Sequence, residues 1–258
     1  MAGRIDEGGI RMTVGQILKF LESRAPAETA EDYDNVGLLV GSPEGAADRI
    51  LVALDITPAA VKEAARIGAG LIVSHHPVIF SPLRSLPGDG VPALLIRHGI
   101  AAIAAHTNLD RAAGGVGDCL AAALGLADVQ TAPDGFTRLG RLPQALSARE
   151  FAAYVGERLG TPVRMRAGYG PVSRVAVCSG AGGDFLLSFL EKGGADAAVT
   201  GELKHHEWIA LPAGVTVIEA GHYHTEIGMT DGVAAWLRKA FPDIEVVSFR
   251  DAPPYETV

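Results

Sequence analysis

Cysteine is nearly absent: Cys119 and Cys178 are the two in the chain, and they stand far apart. That excludes a disulfide framework and a thiolate metal site. Both read as buried small hydrophobes. Basic charge is also short, with 22 Lys and Arg against 30 Asp and Glu and a net charge of -8. Nucleic-acid binders ordinarily carry a basic field, so no nucleic-acid partner is expected. No uninterrupted apolar run reaches about 18 residues, so no membrane span is expected. Met1 to Met12 holds charges and glycines rather than an apolar signal core, and no secretion signal is expected there. A reduced, cytoplasmic setting fits these absences.

What remains is an ordinary globular composition, 48% hydrophobic and 20% charged over 258 residues. Such a chain can bury a large core as one big domain or two lobes. Residues 1-12 read as a disordered extension. Thr13 is placed to cap a helix over Val14 to Arg24, with Ile17, Leu18 and Leu21 on one face. Strands are expected at Val36 to Gly41, Ile50 to Asp55, Leu71 to Ser74 and Ile100 to Ala105. Helices fall between and after them, from Thr57-Pro58 to about Ile67, closing over Leu94 to His98, and over Val116 to Leu126.

Residues 128 to 143 are polar and rich in Pro, Gly and Asp, a boundary between lobes. A second series follows, with helices predicted over Ser147 to Leu159, Asp184 to Lys192 and Lys204 to Leu211. Its strands are Arg174 to Cys178, Ala197 to Thr200 and Val215 to Ala220. A last helix, Thr225 to Ala240, and a strand, Ile244 to Phe249, end the chain. Short apolar strands alternating with helices predict an α/β fold of two αβ lobes with mostly parallel sheets.

Three polar clusters follow strands directly. Ser74-His75-His76-Pro77 puts two adjacent histidines where Pro77 stops a central strand. His106-Thr107-Asn108-Leu109-Asp110 offers an imidazole and a carboxylate in a turn expected to be non-helical. In Gly221-His222-Tyr223-His224-Thr225-Glu226, His222 and Glu226 are one helical turn apart and share a face, while His224 points elsewhere. Each has a bland reading alone: histidines hydrogen-bonded in a loop, a chance spacing, a capping aspartate. Ligands gather beyond the carboxyl ends of parallel strands, so distant segments can meet there. Imidazole and carboxylate suit zinc, iron, manganese or nickel. Five good ligands exceed the needs of one four-coordinate ion and suggest a two-metal site. Two divalent ions lower the pKa of a water they share, which points to hydrolysis, with stored or structural metal as the alternative.

Two further segments are less specific. Gly180-Ala181-Gly182-Gly183-Asp184 reads as a tight strand-to-helix turn, its amides otherwise a phosphate cradle. It lacks the third glycine of a dinucleotide fingerprint and the lysine of a P-loop. In Thr200-Gly201-Glu202-Leu203-Lys204-His205-His206, Glu202 or His205 is a candidate acid, base or substrate contact. Equally, Glu202 suits the first turn of the next helix.

Taken in order, Asp32-Tyr33-Asp34-Asn35-Val36-Gly37-Leu38, Ser74-His75-His76-Pro77, His106-Thr107-Asn108-Leu109-Asp110, Thr200-Gly201-Glu202 and Gly221-His222-Tyr223-His224-Thr225-Glu226 resemble the NIF-three-like family. Its members are known as GTP cyclohydrolase I type 2 homologues or dinuclear metal-centre hexameric proteins. The resemblance runs from about Thr13 to the end. It implies two αβ lobes, 13-127 completed by 225-258, and 128-224. It implies two divalent metal ions on His75, His76, Asp110, His222 and Glu226, with the glutamate bridging, inside a homo-hexameric ring. The short form, without an inserted domain, is the one this chain has room for. The cyclohydrolase label implies hydrolytic opening of the guanine imidazole ring of GTP with loss of formate. From the residues themselves, the expectation is metal-dependent hydrolysis of a nucleotide or other phosphate-bearing small molecule, with His106 or Glu202 moving protons. The alternative is a metal-binding, assembly or regulatory hexamer with no substrate of its own.

Overall fold

The computed structural model describes residues 12–256. Apart from Met12, the extension expected at 1-12 lies outside the described residues. The first helix, α1 (Val14–Arg24), starts at a capping box in which the Thr13 side chain accepts from the Gln16 amide and Gln16 reaches back to the Thr13 amide. There follow β1 (Gly37–Val40), β2 (Arg49–Ala53), α2 (Pro58–Ile67), β3 (Leu71–Ser74), α3 (Val91–His98), β4 (Ala101–Ala104), α4 (Thr107–Arg111) and α5 (Val116–Ala123). Thr57 caps α2 just before its first-turn proline.

The second half continues with β5 (Ala127–Thr131), β6 (Arg138–Leu146), α6 (Ala148–Leu159), β7 (Arg164–Arg166), β8 (Val172–Cys178), α7 (Gly183–Glu191) and β9 (Ala197–Thr200). It ends with α8 (His205–Ala210), β10 (Thr216–Glu219), α9 (His222–Glu226), α10 (Met229–Ala240) and β11 (Glu245–Ser248).

Two sheets result, one ordered β1-β4-β3-β2-β11 and the other β5-β6-β8-β9-β10-β7. In the first, β2, β3, β4 and β11 run parallel and β1 runs against them. In the second, β8, β9 and β10 form a parallel centre, flanked by the antiparallel β6 and β7. This is the expected α/β architecture of mostly parallel strands. The strand β11 comes from the end of the chain and pairs with β2 in register Val246 to Ile50.

Both sheets are covered on two faces, and strand alternation decides which side chain goes where. Ile50, Val52, Leu71 and Val73 face α1 and α10, meeting Ile17, Leu21, Val233 and Leu237. Their neighbours Leu51, Ala53 and Ile72 face α2 and α3, meeting Val61, Ala64 and Leu95. In the second sheet Val175 and Val177 pack on Phe151 and Val155 of α6. Ala176 and Cys178 pack on Leu186 and Leu190 of α7. Each large side chain buried in this way contributes about 1.5–3 kcal/mol. Cys178 is core as expected, whereas Cys119 is only half-buried. Among the described residues no helix is long and apolar enough to cross a membrane.

Four local expectations change. Residues 128 to 143, read as a boundary between lobes, hold a hairpin that was not foreseen, because Asp134 Oδ1 accepts from the Phe136 and Thr137 amides and turns β5 into β6. The turn after His106 is helical, as α4. The short β7, not foreseen, pairs along β10. The last helix is broken into α9 and α10 at Ile227-Gly228.

Candidate metal centre

The parallel strands of the two sheets point their carboxyl ends at each other. From the first sheet, the hydrogen-bonded ladder carries on past the strands, His76 N donating to Leu54 O at 3.0 Å and Ala105 N to Ser74 O at 2.9 Å. From the second, Gly201 N donates to Gly180 O at 3.1 Å and Gly221 N to Gly201 O at 2.9 Å. The loops that follow therefore stand in fixed register, and the functional side chains lie on them.

His75 is fully buried. Its Nδ1 lies 3.0 Å from the Ala105 carbonyl, which can only accept, so Nδ1 donates there and Nε2 is turned toward the interior, where it can ligate once deprotonated. That Nε2 is 3.7 Å from Asp110 Oδ1 and 3.7 Å from Glu226 Oε1. His76 repeats the pattern, with Nδ1 on Asp55 Oδ1 at 2.8 Å and Nε2 3.1 Å from Glu226 Oε2. So does His222, with Nδ1 on Glu202 Oε1 at 3.3 Å and Nε2 3.1 Å from Glu226 Oε2. His106 Nδ1 sits 2.8 Å from Asp34 Oδ1, and Asp34 Oδ2 also accepts from the Thr107 amide at 3.0 Å. Each imidazole is thus held by its outer nitrogen, as metal-ligating histidines are.

Three sets of ligand atoms lie mutually within 4.8 Å: His75, Asp110 and Glu226; His76, His222 and Glu226; and His75, His76 and His106. His75 Nε2, Asp110 Oδ1 and Glu226 Oε2 are buried with no hydrogen-bond partner. The 3.1 Å approaches to Glu226 Oε2 are close, yet no ring N–H is aligned on it. Buried polar atoms without partners are costly, and a cation among them removes the cost. The donor set of imidazoles and carboxylates suits a divalent transition ion.

Glycine makes the approach possible. A Cβ on Gly180, whose φ is +58°, would stand 2.1 Å from Glu226 Oε1. A side chain there would displace the carboxylate. The turn after β8, read from sequence as a tight connection, is thereby the back wall of the centre.

Charge is distributed unevenly. Burial opposes charge on His76, but its contacts with Asp55 and Glu226 push its pKa up to about 10. Burial works against His222 likewise, and Glu226 raises it to about 9. Burial lifts the Asp110 carboxyl to about 6. Against its own burial, His75 and His222 hold Glu226 well below the usual carboxylate range. Burial and the neighbouring His75 depress His106 below its ordinary value.

A cavity of about 150 Å³ opens on this centre, lined by His106, Asp110, His222, Glu226 and the rings of Tyr33 and Phe136. A larger one, about 480 Å³, lies behind the Asp55–His76 pair against Ile56, Val78, Tyr223 and Phe249. Its lining includes His76 and Asp55 but not His75, Asp110, His222 or Glu226. Of the remaining sequence candidates, Glu202 stands at the rim against His222, with 58% of its side chain exposed. His205, exposed at the start of α8, and His224 stand outside the three clusters.

The model of the Duf34/NIF3 family (NGG1p interacting factor 3) matches residues 12–254. The chain belongs to the DUF34/NIF3 family. It is 35% identical over 231 residues to a Streptomyces coelicolor protein called "GTP cyclohydrolase 1 type 2 homolog", covering 83% of this chain and 81% of that one. It is 31% identical over 262 residues to "NIF3-like protein 1" of Drosophila melanogaster, covering 94% and 88%. Its fold is similar to that of the Staphylococcus aureus hypothetical protein SA1388, with a TM-score of 0.88 at 28% identity over 96% of this chain and all of that one.

Three residues of this candidate centre carry no role in the sequence reading: Asp34 and Asp55, which hold imidazoles by Nδ1, and Arg138, which bonds the Asp110 carbonyl. Asp34 sits in the motif that carried the family resemblance. Asp55 follows an apolar strand, as the ligands do, and that position was its only signal.

Proposed function

We propose that this chain holds two divalent ions around Glu226 and hydrolyses a small nucleotide or other phosphate-bearing substrate. One observation carries the reading. Glu226 Oε1 faces His75, beside Asp110, whereas Oε2 faces His76 and His222. A carboxylate whose two oxygens look at two separate ligand sets has the form of a bridge. Asp110 and Glu226 offset only half the charge of two dications, and the surplus favours an anionic substrate. When bound, such ions supply Lewis acidity and a water nucleophile near neutral pH.

The protein's own groups supply orientation and proton movement. His106, held at Nδ1 by Asp34 and kept neutral by burial, has Nε2 available as a base. Glu202 steadies His222 from the solvent side and can pass protons at the rim. The reading includes a homo-hexamer, as the family resemblance implies.

The test is metal analysis of the purified protein beside Glu226→Ala, followed by a hydrolysis screen beginning with GTP and phosphoesters. Two ions per chain, lost in the variant, with turnover that disappears on metal removal, is the expected result. Full turnover by metal-free protein would sink the catalytic role. Two ions without turnover on any substrate would favour a metal-holding assembly.

A further inference from the structure

Arg138 opens β6, is fully buried, and takes no part in the reaction proposed above. Its Nε donates to Asp118 Oδ1 at 3.0 Å. Nη1 donates to the carbonyls of Gly135 at 2.8 Å and Phe136 at 3.1 Å. Nη2 reaches the carbonyls of Asp110 at 3.0 Å, Arg111 at 3.3 Å and Ala112 at 3.1 Å. Those last three are the final carbonyls and C-cap of α4, the five-residue helix that carries Asp110; Ala112 O also accepts from Gly115 N at 3.0 Å, and no further helical turn follows. A cation there also opposes the negative end of the helix.

The surroundings leave the guanidinium no freedom. A Cβ on Gly117 would lie 3.2 Å from Arg138 Cγ, so α5 closes directly over it. A Cβ on Gly115 would lie 1.9 Å from the Leu109 carbonyl, so α4 and α5 are locked together. A neutral donor or water would satisfy a helix end at far lower desolvation cost than a buried guanidinium. What the guanidinium adds is span: a rigid fork joining the second sheet, α5 and three successive carbonyls of one segment. Asp110 presents its unpartnered Oδ1 to His75 from that segment.

We propose that Arg138 is a positioning residue for the metal centre, fixing α4 so that Asp110 meets His75 and Glu226 at one of the two ions. The assignment rests on the dinuclear reading above. It acts through Asp110 alone, so its loss weakens the ion of His75, Asp110 and Glu226 and spares the ion of His76, His222 and Glu226.

The experiment titrates Zn²⁺ into metal-stripped protein by calorimetry, comparing wild type, Arg138→Lys, Asp110→Asn and the double variant. Lysine keeps the charge but offers one nitrogen where the fork offers three. In Arg138→Lys one site weakens about tenfold or more, in the range for groups that orient ligands, while the other is unchanged. In the Asp110→Asn background, adding Arg138→Lys causes no further loss. Equal weakening of both sites, no weakening, or a further loss in that background overturns the assignment. If Arg138→Lys does not fold, Arg138→Gln removes the fork to the three carbonyls without burying a new charge. The same one-site weakening then supports Arg138, and unchanged binding overturns it. A wild type that takes up fewer than two ions defeats the dinuclear reading itself, before any variant is compared.

Discussion

Asp55 touches no candidate ion, yet it sets the tautomer and the tilt of His76 through a 2.8 Å contact. About half of its side chain is exposed, so it contributes little to folding. Asp55→Asn should therefore weaken one ion by about 10–100-fold with little change in melting temperature. Calorimetric titration beside thermal melting checks this, and an unchanged affinity would remove Asp55 from the centre. The same imidazoles set a pH dependence. His76 at about 10 and His222 at about 9 are protonated at neutral pH without metal. A ligating imidazole must be neutral, so loading releases protons, and affinity rises as pH climbs from 7 toward 9. Below about pH 6 the Asp110 carboxyl also takes a proton, and binding declines further. Titrations in buffers of different ionisation heat measure the release directly. Finding none would mean that these histidines bind no ion.

At the level of elements, the strand-to-helix turns decide whether the ligands converge. Gly180→Ala should lose metal, because its new methyl meets Glu226 Oε1 at 2.1 Å. Gly193, with φ +74° and open space around its Cβ position, is the matched control. Both substitutions place alanine in the left-handed region and should cost about 1–2 kcal/mol. Only the first should empty the site, as paired metal analyses and melts will show. The elements also show what sequence can reveal. His75, His76, His222 and Glu226 were legible because apolar strands end just before them and a four-residue spacing is local. The β5–β6 hairpin was not, because β5 is exposed along its whole length and carries no apolar signal. The Asp134-Gly135 pair was a usable turn signal, outweighed by the polar composition around it. Arg138 and Asp55 were hidden for another reason. Asp118 and Asp110 stand 20 and 28 residues from Arg138, and His76 stands 21 from Asp55, and one sequence does not declare such pairings.

Across the whole molecule, the candidate ligands come from both sheets: His75, His76 and Asp110 follow β3 and β4, and His222 and Glu226 follow β10. An ion bound there favours the folded state over the unfolded one, by about 2.7 kcal/mol at a hundredfold excess over Kd. Chelation should accordingly lower the melting temperature, whereas Glu226→Ala should melt alike with and without chelator. Scanning calorimetry distinguishes the two. For assembly, a mass near six times the 26.8 kDa chain is expected from light scattering in solution. A monomer would remove the hexamer from the reading.

The pairing of β11 with β2 has a consequence for how the protein is made. During synthesis β2, β3 and β4 emerge early, but the β2 edge stays open until residue 248 arrives. His75, His76 and Asp110 are then already present without Glu226. A nascent chain therefore carries an uncovered strand and an incomplete set of candidate ligands until residues 226 and 248 are made. In the dinuclear reading, loading of both ions waits for Glu226, and a chain stalled before it is left with an open β2 edge and nothing to close it.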